Sequence, residues 1–313
     1  MKLLSIKSEA GARAAILMGE DVLDVTGFCK LIEESSEIDS TSLPPIEGVY
    51  RDAIDLYLCG MERLKALVSR VENDSELADK SKANGVLRPL ASVELNPPVT
   101  APGKILAVGL NYAAHAAEQN IEPPASPLVF TKCVTSLSSP CDPIRLPHIS
   151  DMVDYEAELA FVIGREAKSV SAANALDYVA GYMIMNDVSA RDLQRNEHQW
   201  TRAKGLDTFA PCGPWIVTGD EIEDPQSLSI KLWVNGELRQ NSDTGDMIFK
   251  IPELIEFISQ DLTLRTGDII TTGTPSGVGV YLKPPVFLKA GDHIEIEIGR
   301  IGRIEHRVVA QGE

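Results

Sequence analysis

Apolar and polar positions divide the chain into two parts with different rhythms. In the first, LLSIKS and ARAAILMGEDVLDV read as two strands joined by a Gly-containing turn, and a helix is expected near residues 26–35. SSEIDSTSLPPIEG is polar and Pro-containing, which predicts a loop. YRDAIDLYLCGMERLKALVSRV places Ile54, Leu58, Met61, Leu64 and Leu67 at helical spacing and predicts one amphipathic helix. LNPPVTAPGK is Pro-rich and therefore extended, a linker that sets a boundary near residue 97. The expected organisation is one domain over 1–97 and a second over 98–313.

Beyond the linker, short apolar runs alternate with Gly and Pro turns: KILAVGL, SPLVFTK, ELAFVIG, VAGYMIMNDVS, WIVTG, LSIKLWVNGEL, GDIITTG, then HIEIEIG and RIEHRVV as a hairpin around Gly299. Asn-Gly inside KLWVNGEL is a hairpin signal. Helices are few: near 111–119, SAANALDYV, about 190–197, and IPELIEFISQ. No βαβ alternation appears, so the expected class is α+β, a strand-rich and mainly antiparallel core with peripheral helices.

Composition narrows the function. The 313 residues carry 46 acidic and 29 basic side chains, a net charge of -17. That balance disfavours nucleic acid and anionic membranes as partners, and an anionic substrate needs a local positive site. No apolar run reaches the ~20 residues of a membrane span and the start has no signal-peptide pattern, so a cytoplasmic protein is expected. The five cysteines are expected to be buried or half-buried free thiols.

DYEAELAFVIG (154–164) carries the candidate chemistry. Strand side chains alternate, so Glu156 and Glu158 share a face with Ala160 and Val162, and Leu159, Phe161 and Ile163 share the other. Carboxylates in a half-buried strand need a cationic partner. Asp187 ends another apolar line, GYMIMND, and would complete an oxygen-only set for Mg²⁺ or Mn²⁺, with Ca²⁺ possible. The alternative is that these acids pair with basic side chains at a sheet edge. In NYAAHAAEQN, His115 and Glu118 at i, i+3 face the same side, which suits a general base oriented by a carboxylate. Lys204 could present its charge to an oxyanion. GDIITTGTPSGVG offers backbone N–H groups that could hold a carboxylate or phosphate. It lacks the Lys of a nucleotide-binding loop, and G-x-S-x-G and H-E-x-x-H are absent. His148, His198, His293 and His306 have no local partner pattern and are expected to be structural or solvent-facing; Met183 and Met185 are expected in the core.

Taken together, KILAVGLNYAAHAAE, SPLVFTK, DYEAELAFVIG, GYMIMNDVSARDLQ, QWTRAKGLDTFAPCGPWIVTG, LWVNGELRQNSDTGDMIF and GDIITTGTPSGVG resemble the fumarylacetoacetate hydrolase family. The resemblance implies a mixed β-sandwich roll, usually homodimeric, behind a small N-terminal α+β domain. It implies metal ligands at Glu156, Glu158 and Asp187, a catalytic pair at His115 and Glu118, and a substrate-facing lysine at Lys204. It implies substrate contacts at Gln194 and Thr274. NYAAH lacks the further metal-binding aspartate of the eponymous enzymes, which points to the branch with smaller substrates. The implied activity is metal-dependent C–C chemistry of a 2-oxo acid or dicarboxylate through an enolate. Acylpyruvate hydrolysis leads, with oxaloacetate decarboxylation or hydroxyheptadienedioate-type isomerisation as alternatives, and non-catalytic dicarboxylate binding as an alternative of another class.

Overall fold

In the computed structural model, which describes residues 1–9, 11–34 and 50–312, the chain forms two units, Met1–Thr100 and Ala101–Glu313. In the first, strands β1 (Lys2–Ser8), β2 (Gly11–Met18) and β3 (Asp21–Asp24) pair antiparallel. The second apolar run thus holds two strands where one was predicted, because Gly19 turns the chain at φ +62°. Helix α1 spans Val25–Glu34; the loop predicted just after it, SSEIDSTSLPPIEG, lies outside the described residues. The single helix predicted over 50–71 is two, α2 (Ala53–Cys59) and α3 (Met61–Asn73), because Gly60 sits at φ +97° between them. The break takes Leu58 off the apolar stripe to 61 % exposure, while Leu64 and Leu67 stay buried. Helix α4 (Ser75–Ala83), not predicted, is capped by Asp74, whose carboxylate accepts from the Leu77 N–H. Strand β4 (Leu87–Pro89) completes the order β4-β3-β2-β1.

The second unit begins with β5 (Ile105–Gly109), α5 (Ala113–Glu118), β6 (Leu128–Lys132), β7 (Leu137–Ser138), β8 (Ile144–Arg145) and β9 (Val153–Asp154). Next come β10 (Ala157–Ile163), β11 (Val179–Asn186), β12 (Ser189–Ala190), α6 (Arg191–Glu197), α7 (Trp200–Lys204) and β13 (Ala210–Thr218). The chain ends with β14 (Ser229–Val234), β15 (Glu237–Asp243), α8 (Ile251–Ser259), β16 (Ile269–Thr271), β17 (His293–Ile298) and β18 (Gly302–Val309). SAANALDYV forms a 3₁₀ turn over Ala172–Tyr178. One sheet runs β13-β11-β10-β16-β5-β6 and another β15-β14-β17-β18-β8. The expected hairpins at Asn235-Gly236 and around Gly299 are present, Asn235 and Gly236 both at positive φ. Pairing is not purely antiparallel: β16 runs parallel to β5, which makes the sheet mixed.

Alternation builds the core. Leu159, Phe161 and Ile163 of β10 join Tyr182 and Ile184 of β11, and Ile294, Ile296 and Ile298 of β17, in one apolar cluster. Met183 and Met185 are fully buried, as expected. His306 is buried, the structural of its two expected placements; of the five free thiols, Cys133 and Cys141 are exposed, against expectation.

The same topology sets up one end of the mixed sheet. The C-terminal ends of the parallel β5 and β16 lie beside the start of antiparallel β10 and the end of β11, with Ala160 opposite Thr271 and Ala157 opposite Asn186. Segments that follow or precede four strands therefore converge there.

Candidate active site

The pairing of Ala157 with Asn186 brings Asp187 beside the Glu156–Glu158 segment, and the Asp187 N–H donates to the Glu156 carbonyl at 2.9 Å. One carboxylate oxygen from each of Glu156, Glu158 and Asp187 lies within 4.8 Å of the others, and all three residues are buried. The cations demanded by this placement are there. The Lys204 ammonium donates to Glu156 Oε2 and to Asp187 Oδ2, each at 2.6 Å. Lys132 donates to Asp187 Oδ1 at 2.5 Å and to the Lys204 carbonyl. Arg191 places Nη2 2.7 Å from Glu156 Oε1, and its Nε donates to Asp154 Oδ2 at 2.8 Å.

These neighbours divide the two glutamates. Burial disfavours ionisation of both. For Glu156, the charges of Lys204 and Arg191 outweigh burial and hold the carboxyl far below the usual range. For Glu158, burial is reinforced by the charges of Asp187 and Glu156, and its carboxyl is pushed well above that range. Glu158 Oε2 accepts from the Thr271 hydroxyl and, at 2.9 Å, from the Gly273 N–H. Gly273 sits at φ +91°, and a Cβ there would come within 2.9 Å of Asn111 Cβ and 3.0 Å of the Val108 carbonyl. Only glycine lets the loop make this turn.

His115 is 6 % exposed and donates from Nδ1 to Glu118 Oε1 at 2.6 Å. Glu118 Oε2 accepts from the Gly277 N–H at 3.1 Å. The glycine loop thus spends the N–H groups of Gly273 and Gly277 on the protein's own carboxylates, not on an open anion nest as expected. The Thr274 hydroxyl is also engaged, donating to the Ala157 carbonyl at 3.0 Å and accepting from Gln240 Nε2 at 2.8 Å. Gln194 accepts from Arg191 Nη1 at 3.1 Å.

A cavity of about 300 Å³ joins these groups: Glu156, Glu158, His115, Lys204, Gln194 and Thr274 all line it. So do Gln119, Arg191, His198, Trp200 and Tyr281, which sequence reasoning did not single out as functional. His198, expected to be merely structural or solvent-facing, belongs to this wall. Lys132 was missed altogether; it ends SPLVFTK, where a lysine reads as a solvated strand terminus.

The donor set fits a hard divalent ion: three buried carboxylates, oxygen only, with one of them carrying charge repulsion that a dication would relieve.

The family model for "Fumarylacetoacetate (FAA) hydrolase C-terminal" matches residues 104–309. The chain belongs to the fumarylacetoacetate hydrolase family. It is an enzyme of that family, from the branch with smaller substrates. It is similar to a Xenopus laevis protein named oxaloacetate tautomerase fahd2, mitochondrial, with 49 % identity over 221 residues, 70 % of this chain and 69 % of that one. Among solved structures it is similar to a 5-carboxymethyl-2-hydroxymuconate delta-isomerase from Mycobacterium smegmatis, with 35 % identity, TM-score 0.73 and all of both chains covered. It is also similar to a maleylpyruvate hydrolase from Sphingobium sp. SYK-6, with 33 % identity and TM-score 0.75, covering 99 % of this chain and 100 % of that one. No helix among the described residues is long and apolar enough to cross a membrane.

Proposed function

We propose that the chain is a Mg²⁺- or Mn²⁺-dependent enzyme that interconverts the keto and enol forms of oxaloacetate or a close C4 2-oxo dicarboxylate. The observation that carries the reading is that Glu156 and Glu158 of the acidic cluster line the same cavity as His115, the imidazole held by Glu118. About 300 Å³ is at the small end for ligand sites, which suits a C4 acid. The relative at 49 % identity bears the name of a tautomerase of this substrate.

Glu156, Glu158 and Asp187 would hold the ion, which supplies Lewis-acid polarisation of a 2-oxo group. His115 takes a proton from C3 at Nε2, the C–H electron pair becomes the C2=C3 double bond, and the π pair of the 2-oxo group moves onto its oxygen. The same proton then returns to that oxygen, so the step is a balanced 1,3-shift. Glu118 keeps the Nδ1–H in place and stabilises the ring while it is charged. Lys204 offers its ammonium to a substrate carboxylate, offsetting the acidic field of the chain.

Acylpyruvate hydrolysis is the second reading, supported by the similarity to the maleylpyruvate hydrolase along nearly the whole chain. There His115 would deprotonate water instead. The test is enol-absorbance decay of oxaloacetate beside cleavage of acetylpyruvate and fumarylpyruvate, with EDTA and Mn²⁺ add-back. Faster oxaloacetate conversion that EDTA abolishes and Mn²⁺ restores is expected. Acylpyruvate cleavage without any effect on oxaloacetate would replace the first reading with the second.

A further inference from the structure

The hydrogen bonds around His115, with Gln119 Nε2 placed against its Nε2, fit one neutral tautomer. Glu118 already accepts the Gly277 N–H, so its carboxylate is an acceptor and the proton between it and His115 sits on Nδ1. The neutral ring then has only a lone pair at Nε2. The group 2.9 Å from Nε2 is the Gln119 side-chain amide, which must present its NH₂ there. Its Oε1 consequently faces Tyr281, whose hydroxyl donates to it at 3.0 Å. Tyr281 also stands edge-on to the imidazole, with ring centroids 6.1 Å apart.

The amide of Gln119 therefore covers the lone pair that a general base must use. It is also an unusual cover. Gln119 lies just past the end of α5, is half-buried and lines the cavity, and its oxygen stays tethered to Tyr281 on a separate segment. Rotation about its own side-chain torsions can lift the NH₂ off His115 and keep the Tyr281 bond. The displaced N–H groups then need an acceptor inside the cavity.

We propose that Gln119, anchored by Tyr281, is a specificity latch: it caps His115 Nε2 until a substrate carboxylate distal to the 2-oxo group takes over its N–H donors and frees the base. The inference rests on His115 being the base, as in the reading above. A 2-oxo acid without a distal carboxylate leaves the latch on the histidine and reacts slowly. Gln119 thus selects dicarboxylates by coupling recognition to exposure of the base.

Two measurements test the two halves. The first needs no turnover: diethyl pyrocarbonate acylates the neutral imidazole nitrogen, and peptide mapping reads its rate at His115 in the resting enzyme. Gln119→Leu is expected to speed modification about tenfold, Tyr281→Phe less, and Gln119→Glu to slow it, because a carboxylate favours the protonated ring. Mere loosening of the site would move all three variants the same way, and that result, or no change, overturns the cap. The second measures Mn²⁺-dependent exchange of C3 protons with D₂O for oxaloacetate and for 2-oxobutyrate. The preference for oxaloacetate is expected to fall about ten- to a hundredfold in Gln119→Leu, the weight of a hydrogen bond to a charged group. An unchanged preference overturns the exchange of donors. His115→Ala separates the failures: if it exchanges C3 protons like wild type, the base assignment is wrong, whatever the Gln119 variants do.

Discussion

Lys132 and Asp187 form an ion pair 2.5 Å long with side chains 0 % and 1 % exposed. Burial works to lower the Lys132 pKa, and Asp187 works to hold its proton on. A charge pair this deep does little net work for the fold, but losing one partner strands the other. Lys132→Met should destabilise the protein by about 3–5 kcal/mol. Mn²⁺ should recover more of that loss in the variant than it adds to wild type, since the ion supplies the missing charge. Urea unfolding with and without Mn²⁺ checks both; equal Mn²⁺ effects would mean that Lys132 and the ion do not serve the same carboxylates.

What the sequence made legible followed from periodicity. Glu156 and Glu158 could be read because they interrupt a strand whose opposite face is wholly apolar, and Asp187 because it ends a second such line. His115 and Glu118 could be paired because three residues is one helical turn. Partners brought in by tertiary packing were not legible. Lys132 ends β6, which is not paired with β11, yet it meets Asp187 just past β11 and the carbonyl of Lys204 at the end of α7, and nothing in SPLVFTK announces it. The glycine loop was legible as a loop, but not that the Gly273 and Gly277 N–H groups would be consumed by Glu158 and Glu118. Leu58 failed for a local reason: Gly60 broke the helix, and the apolar spacing ran across the break.

His115 hydrogen-bonds Glu118 and Gln119 rather than the carboxylates proposed to hold the ion. His115→Ala should lower turnover ~10²–10⁴-fold, the usual weight of a positioned proton-transfer group. Mn²⁺ affinity by titration calorimetry should stay within about threefold, less than a single hydrogen bond is worth. Parallel loss of affinity and turnover would move His115 into the metal-binding set.

Glu158 offers a sharper separation. Its folded pKa is raised by burial and by Asp187 and Glu156. Stability from such a group is complete below the unfolded value and is lost as pH rises through the folded one. Glu158→Gln copies the protonated carboxyl in shape and removes that loss. The variant should be at least as stable as wild type at neutral and mildly alkaline pH in the presence of EDTA, yet bind Mn²⁺ far more weakly and be inactive. Thermal melts in EDTA with and without excess Mn²⁺ read both properties. A destabilised variant in EDTA would show that ionised Glu158 supports the fold.

His306 gives a pH dependence far from the cavity chemistry. Burial lowers its pKa from 6.5 to about 4, only partly offset by the Asp142 carbonyl, which lies 3.3 Å from Nδ1. Its Nε2 is buried without a partner among the described residues, so protonation there adds a charge that nothing receives. A depressed histidine pKa favours the folded state above the unfolded value of 6.5, and the advantage is lost as pH falls towards 4. The full difference is roughly 3 kcal/mol. Urea unfolding between pH 7.5 and 4.5 should therefore show falling stability, and His306→Leu should flatten that slope. Leucine differs from imidazole in shape, so the slope decides, not the absolute value; an unchanged slope would assign the acid sensitivity to other groups.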